Sequence, residues 1–256
     1  MAKVITVANQ KGGCGKTTTS ICLAQELISR KHKVLFIDAD AQCNSTTFYG
    51  AKTKEIETLL DIVCGDVPAN ECVQHTERGD IIPSDPGLVD AENMIKVDER
   101  RFNHLKRSLK SVKDDYDYIV IDTPPAIGVM LKNVLAATDY VVIPVQESGW
   151  SVDGLLQFSY AIELAAENNE NIKIAGILIV DSQPRTSKSA RMETYVNEAA
   201  KKMNTRAFKA KVHHSVKCSE ALTEYGVPLN EYAPQSKPAE DYKQFTTELL
   251  EVINNG

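Results

Sequence analysis

Hydrophobic positions follow two rhythms along this chain of 256 residues. Short, mainly apolar, β-rich runs occur at residues 4–8, 34–37, 118–121, 140–145 and 174–180, with a briefer one at 81–82. Runs of this length suit strands covered on both faces, as in a parallel sheet. Between them, apolar residues return every three to four positions. Residues 17–30 carry a stripe of Ile21, Leu23, Ala24, Leu27 and Ile28, and 91–112, 129–137, 152–168, 188–203 and 239–253 also read as helices. The alternation predicts an α/β fold, a mainly parallel twisted sheet flanked by helices on both faces. Crossovers should be right-handed and ligands should bind beyond the carboxyl ends of the strands. Three runs end there in an aspartate: Asp38, Asp122 and Asp181. No Pro-, Gly- or Ser-rich linker interrupts the pattern, so residues 1–256 are expected to form a single domain. Residues 50–90 are the least regular stretch.

Composition changes this picture little. Hydrophobic residues make up 43% and charged residues 25%, an ordinary globular balance. The N-terminus enters a strand-like run directly, without the charged and apolar regions of a secretory signal. No apolar run approaches the roughly 20 residues that span a bilayer. The six cysteines form no CxxC pair, so a zinc or redox motif is not expected. These features predict a cytoplasmic protein with reduced thiols.

Charge changes it more. The chain carries −6, but residues 183–217 hold nine basic residues against Glu193 and Glu198, a net +7, so the remainder carries −13. Such asymmetry marks an electrostatic footprint or a solvated basic surface. On a helix over 188–203 and its continuation, Lys188, Arg191, Tyr195, Lys202 and Arg206 fall along one side. Met192, Val196, Ala200 and Met203 fall on the neighbouring, core-facing side.

The strongest chemical signal follows the first strand: Lys11-Gly12-Gly13-Cys14-Gly15-Lys16-Thr17-Thr18. Strand, glycines, Gly-Lys-Thr and helix occur in the order a P-loop NTPase requires. Glycines let backbone N–H groups turn inward toward phosphate oxygens, and the helix N-terminus adds partial positive charge. Lys16 should reach the β- and γ-phosphates, Thr17 should ligate Mg²⁺, and Thr18 should contact the α-phosphate. Asp122 ends a hydrophobic strand in the Walker B manner and should hold Mg²⁺ through water. Asp38 and Asp40, at the end of another strand, are placed to hold metal or orient water, with capping of the following helix as the alternative. Cys14, at a helix N-terminus, is either a reactive thiol or a small side chain that fits; the second reading is the simpler.

Residues 7–19 closely resemble the deviant Walker A segment of the ParA/Soj branch of the ParA/MinD ATPases, in which Lys11 replaces the first glycine of the generic loop. Phe36-Ile37-Asp38-Ala39-Asp40-Ala41-Gln42-Cys43-Asn44-Ser45-Thr46 resembles that family's DxDPQGNxT segment, with Ala41 for Pro and Cys43 for Gly. These departures put the stiffness of the turn in question. The resemblance implies that Lys11 reaches the phosphates of a partner subunit in an ATP-sandwiched homodimer, and that Asp40 positions the attacking water. Residues 215–242 resemble the family's adenine-framing end, with His213-His214 in place of the usual Pro-Arg. Neighbouring histidines seldom converge on one ion, so a metal there is not expected.

The resemblance further implies non-specific binding of double-stranded DNA by the ATP form. Arg185, Lys188, Arg191, Lys202, Arg206 and Lys217 are the candidate contacts. It also implies nucleoid association and a ParB-like centromere-binding activator. A helix-turn-helix extension before the loop, and with it sequence-specific operator binding, is not expected. A MinD-like membrane ATPase would need a basic amphipathic C-terminal helix, whereas residues 248–256 are acidic. A metabolic enzyme on the same fold is the other alternative. Its reductase form would need cysteines placed to bridge a dimer, and these are not.

Overall fold

In the computed structural model, which describes residues 1–95, 101–146, 152–166, 169–183 and 187–255, eight strands form one sheet. At residues 92, 152–153, 165–166 and 187–188 it describes the backbone alone. The strands are β1 (Lys3–Val7), β2 (Val34–Asp38), β3 (Gln74–Thr76), β4 (Gly79–Ile82), β5 (Tyr118–Asp122), β6 (Tyr140–Gln146), β7 (Lys173–Ser182) and β8 (Ala207–His213). Their order is β3-β4-β2-β5-β1-β6-β7-β8, parallel throughout except for the β3–β4 hairpin. The principal helices are α1 (Lys16–Ser29), α2 (Asn44–Tyr49), α3 (Leu59–Gly65), α4 (Val129–Ala137), α5 (Val152–Ala166), α6 (Ser187–Lys202) and α7 (Lys237–Asn255).

Successive strand residues point to opposite faces, and both faces are packed. Ile5, Val7, Phe36, Val120, Val142, Leu178 and Val180 face α1 and α7. Val4, Leu35, Ile37, Ile119 and Ile121 face α3 and α4, while Val141, Ile143, Ile177 and Ile179 face α5 and α6. This double cover explains the mainly apolar runs. Each fully buried Leu, Ile or Phe contributes about 1.5–3 kcal/mol.

The helices expected over 17–30, 129–137, 188–203 and 239–253 appear with ends shifted by at most two residues, and the one expected over 152–168 appears at Val152–Ala166, with 167–168 outside the described residues. The one expected over 91–112 does not. Leu88, Ala91, Ile95, Leu105, Leu109 and Val112 do face the core, as the periodicity requires. Ile95, however, leaves the helical region (ψ 123) and ends the short helix Ala91–Met94, and a separate helix, His104–Ser108, begins after Asn103. Residues 207–213, assigned to no element on sequence, form the edge strand β8, because Phe208, Ala210 and Val212 alternate inward between exposed or half-exposed positions.

Candidate functional site

The glycine loop leaves β1 beside β6 and is anchored before it turns. Ala8 N–H donates to Val142 C=O, the Asn9 amide donates to Pro144 C=O at 2.6 Å, and Asn9 Oδ1 accepts from Lys11 N–H. Gly13 (φ 70) and Gly15 (φ 84) occupy left-handed conformations that favour glycine. Gly15 caps α1, its carbonyl accepting from Thr19 N–H. A Cβ placed on Gly12 or Gly13 would meet nothing within 4 Å, so the space over the loop is open. Lys16 is buried, and its ammonium donates to Lys11 C=O across the loop at 3.3 Å. Lys11, Thr17 and Thr18 are half-exposed. Cys14 is fully buried, and burial pushes its thiol above the ordinary cysteine pKa. That environment favours the small-side-chain reading over a reactive thiolate.

Beside the loop stand two buried carboxylates. Asp38 ends β2 and Asp122 ends β5, and the two are paired in register across neighbouring parallel strands. Asp122 accepts from the Ser20 hydroxyl at 3.2 Å and the Ser45 hydroxyl at 3.0 Å, and hydrogen-bonds the Thr17 side chain. Asp38 Oδ2 accepts from the N–H and the hydroxyl of Thr46, both at 2.7 Å, and its Oδ1 accepts from Asp40 N–H. Thr46 lies in the first turn of α2, so Asp38 binds that helix N-terminus, as the capping alternative requires, while also lining the site. Burial is the main cause that raises Asp122 to about 7 and Asp38 to about 6; repulsion adds to it, from Asp38 and Asp40 at Asp122 and from Asp40 at Asp38. Such a pair holds less than its full negative charge until a cation arrives. The donors, two carboxylates and the Thr17 hydroxyl, are hard oxygens of the kind Mg²⁺ takes alongside waters and phosphates. No cluster of three or more His, Cys, Asp and Glu side chains that could hold a metal occurs among the described residues.

Asp40 sits two residues beyond β2 and is half-exposed. Its Oδ1 accepts from Gln42 N–H, closing a tight turn, and its carbonyl accepts from Cys43 N–H. Cys43 stands at φ 54, a left-handed conformation that accounts for the preference for glycine there in the resembling segment.

A cavity of about 330 Å³ opens beside the loop, lined by Gly15, Thr18, Asp181, His213, His214 and Tyr242 among others. Each histidine has its own acidic partner. His213 Nδ1 lies 2.7 Å from Asp241, whose other oxygen takes the Lys237 ammonium at 3.0 Å, and His214 pairs with Asp181. A larger cavity of about 660 Å³, between β8 and α7 around Arg206 and Lys243, lies away from the glycine loop.

The basic residues do not form the single stripe expected. Arg191, Lys202, Arg206 and Lys217 are all exposed, and Met192, Val196, Ala200 and Met203 are buried. Helix α6 ends at Lys202, however, and Arg206 lies beyond it. Asn204 (φ 49) turns the chain, Thr205 N–H returns to Ala200 C=O, and Arg206 C=O joins the sheet at Ile177. Because α6 runs back against the strands, Lys202 and Arg206 reach the end of the sheet opposite the glycine loop. Lys217, just past β8, lies at the loop end. Arg185 and the side chain of Lys188 lie outside the described residues. Sequence motifs also gave no role to Ser20, Ser45, Thr46 and Ser84. Ser45 and Thr46 stood inside a recognisable segment, whereas Ser84 carried no signal.

Comparisons with known proteins agree with this architecture. A family model described as an AAA domain matches residues 2–174. The sporulation initiation inhibitor protein Soj of Bacillus subtilis is 35% identical over 253 residues, 97% of this chain and 98% of Soj. The chromosome partitioning protein ParA of Myxococcus xanthus is 34% identical, over 98% of this chain and 88% of its own. Among solved structures, the ATP complex of the D38A variant of McdA from Cyanothece superposes with a TM-score of 0.85 at 27% identity, covering 99% of this chain and 96% of that one. Cobyrinic acid a,c-diamide synthase from Mycobacterium smegmatis, with bound ADP and magnesium, gives 0.84 at 27% identity, covering 100% and 97%.

Proposed function

Because this chain belongs to the ParA/Soj family of P-loop ATPases, we propose that it is a DNA-partition ATPase that binds ATP and Mg²⁺, hydrolyses ATP to ADP and phosphate, and uses the cycle as a dimer switch. The observation that carries this reading is the convergence of a glycine loop, a buried lysine and two buried, register-paired carboxylates at the carboxyl ends of the central strands. Gly12, Gly13, Cys14 and Gly15 offer backbone N–H groups to the phosphates, and Thr18 contacts the α-phosphate. Lys16 exchanges the Lys11 carbonyl for phosphate oxygens. Thr17, Asp38 and Asp122 would hold Mg²⁺, which offsets phosphate charge when bound. Asp40 orients the attacking water, and Lys11 reaches the phosphates of a second copy of the chain, where a cation stabilises developing negative charge. The 330 Å³ cavity takes the base.

ATP closes two subunits, and the closed form binds double-stranded DNA without sequence preference through Arg185, Lys188, Arg191 and Lys217. Lys202 and Arg206, at the far end of the sheet, contribute to the general positive field. A ParB-like centromere-binding protein accelerates hydrolysis and resets the switch, in the cytoplasm over the nucleoid. The similarity to cobyrinic acid a,c-diamide synthase supports a metabolic reading of the same fold, but the Soj and ParA sequences are nearer. A membrane role has less support. The apolar residues of α7, among them Tyr242, Phe245, Leu249 and Ile253, are buried against the sheet, and no helix among the described residues is long and apolar enough to cross a membrane.

DNA binding tests the reading. Protein loaded with ATP should retard random-sequence DNA at low salt and lose it steeply as salt rises, while ADP-loaded protein should not bind. ATP-loaded protein that ignores DNA at low salt would remove the partition role and leave the metabolic one.

A further inference from the structure

The geometry points to Ser84 as a positioning residue for Asp40, an inference that rests on the proposed role of Asp40 in orienting water. Strand β4 lies against β2 with Ile82 level with Ile37. The chain leaving β4 therefore arrives beside the turn that leaves β2. There Ser84 is fully buried and tied to the site, and its side chain also hydrogen-bonds the Cys43 thiol. Its hydroxyl donates to Asp40 C=O at 2.7 Å, and its N–H donates to Thr46 Oγ1 at 2.9 Å. Thr46 Oγ1 in turn donates to Asp38 Oδ2. One residue from outside the phosphate-loop and aspartate segments thus holds both ends of the turn that carries Asp40.

This turn needs such a tie. Ala41 stands where a proline ring would fix φ, and Cys43 takes a left-handed conformation without being glycine. The backbone dihedrals that aim the Asp40 carboxylate are therefore held by hydrogen bonds: Ala39 N–H donates to Asp122 C=O on β5, and the Ser84 hydroxyl ties Asp40 to the chain leaving β4. It also assigns a purpose to residues 50–84, whose β3–β4 hairpin delivers Ser84 to the site. Removing the hydroxyl leaves Asp40 C=O still paired with Cys43 N–H, so no buried acceptor is orphaned and the fold should tolerate the change.

The test measures steady-state ATP hydrolysis, nucleotide affinity and Tm for Ser84→Ala, Ser84→Cys and Asp40→Ala. Ser84→Ala should lower kcat about tenfold, since small misplacement of a catalytic group costs up to about 10²-fold. KM for ATP and Tm should stay near wild type, and Ser84→Cys, with its weak donor, should fall between. Wild-type kcat in Ser84→Ala beside an inactive Asp40→Ala would overturn the inference alone. Loss of Tm and nucleotide affinity in step with kcat, in both Ser84 variants, would show a merely structural role and overturn it as well. Full activity in Asp40→Ala would remove the catalytic reading, and this inference with it.

Discussion

At the scale of residues, the site stores unfavourable charge. Asp38 and Asp122 are buried side by side, and both are pushed upward from the ordinary carboxylate range. A carboxylate raised from about 3.9 when unfolded favours the folded state most when protonated. Its contribution is fully present below the unfolded value and is lost as pH rises through about 6 for Asp38 and about 7 for Asp122. Replacing Asp122 by Asn keeps the shape and removes the charge. Without nucleotide or Mg²⁺, Asp122→Asn should therefore melt above wild type at pH 8, with the gap shrinking toward pH 5. In Mg²⁺ and ATP the order should reverse, because the wild type alone gains the full binding energy. Calorimetry across that range checks both signs; a gap independent of pH would mean that Asp122 bears no such penalty.

The elements show why some of this was legible in the sequence and some was not. Strands β1, β2, β5, β6 and β7 announced themselves because both faces are covered. The phosphate loop did so because left-handed Gly13 and Gly15 tolerate little else. β8 was hidden because Lys209 and Lys211 alternate with its buried residues and read as basic surface. Ser84 was hidden because its work depends on the neighbouring strand and not on its neighbours in sequence. The edge of the sheet shows another long-range device. Glu248 of α7 accepts from Lys209 N–H and Ala210 N–H at 2.9–3.1 Å, satisfying backbone donors of β8 where its register with β7 shifts. Glu248→Ala should cost about 1–3 kcal/mol, the range for charge-assisted bonds and orphaned donors. Urea unfolding measures it, and an unchanged midpoint would show that water replaces the carboxylate without cost.

For the whole molecule, the uneven charge and the site belong together. A chain of −6 that gathers +7 within residues 183–217 can meet a polyanion on one side and repel it elsewhere. That window straddles β8 and opens toward the loop end at Lys217, so nucleotide and DNA would act on neighbouring surfaces. Lys211 is already paired with Glu193, and Lys202 and Arg206 lie at the far end. The contacts that respond to nucleotide should therefore be few. On the proposed function, Asp40 and the carboxylates beneath the loop would make this a hydrolytic switch read by DNA. ATP turnover by wild type and Asp40→Ala, with and without random-sequence DNA, tests it most directly. The wild type should turn over slowly and be accelerated by DNA, and Asp40→Ala should bind ATP without turnover. Hydrolysis by Asp40→Ala at the wild-type rate would contradict it.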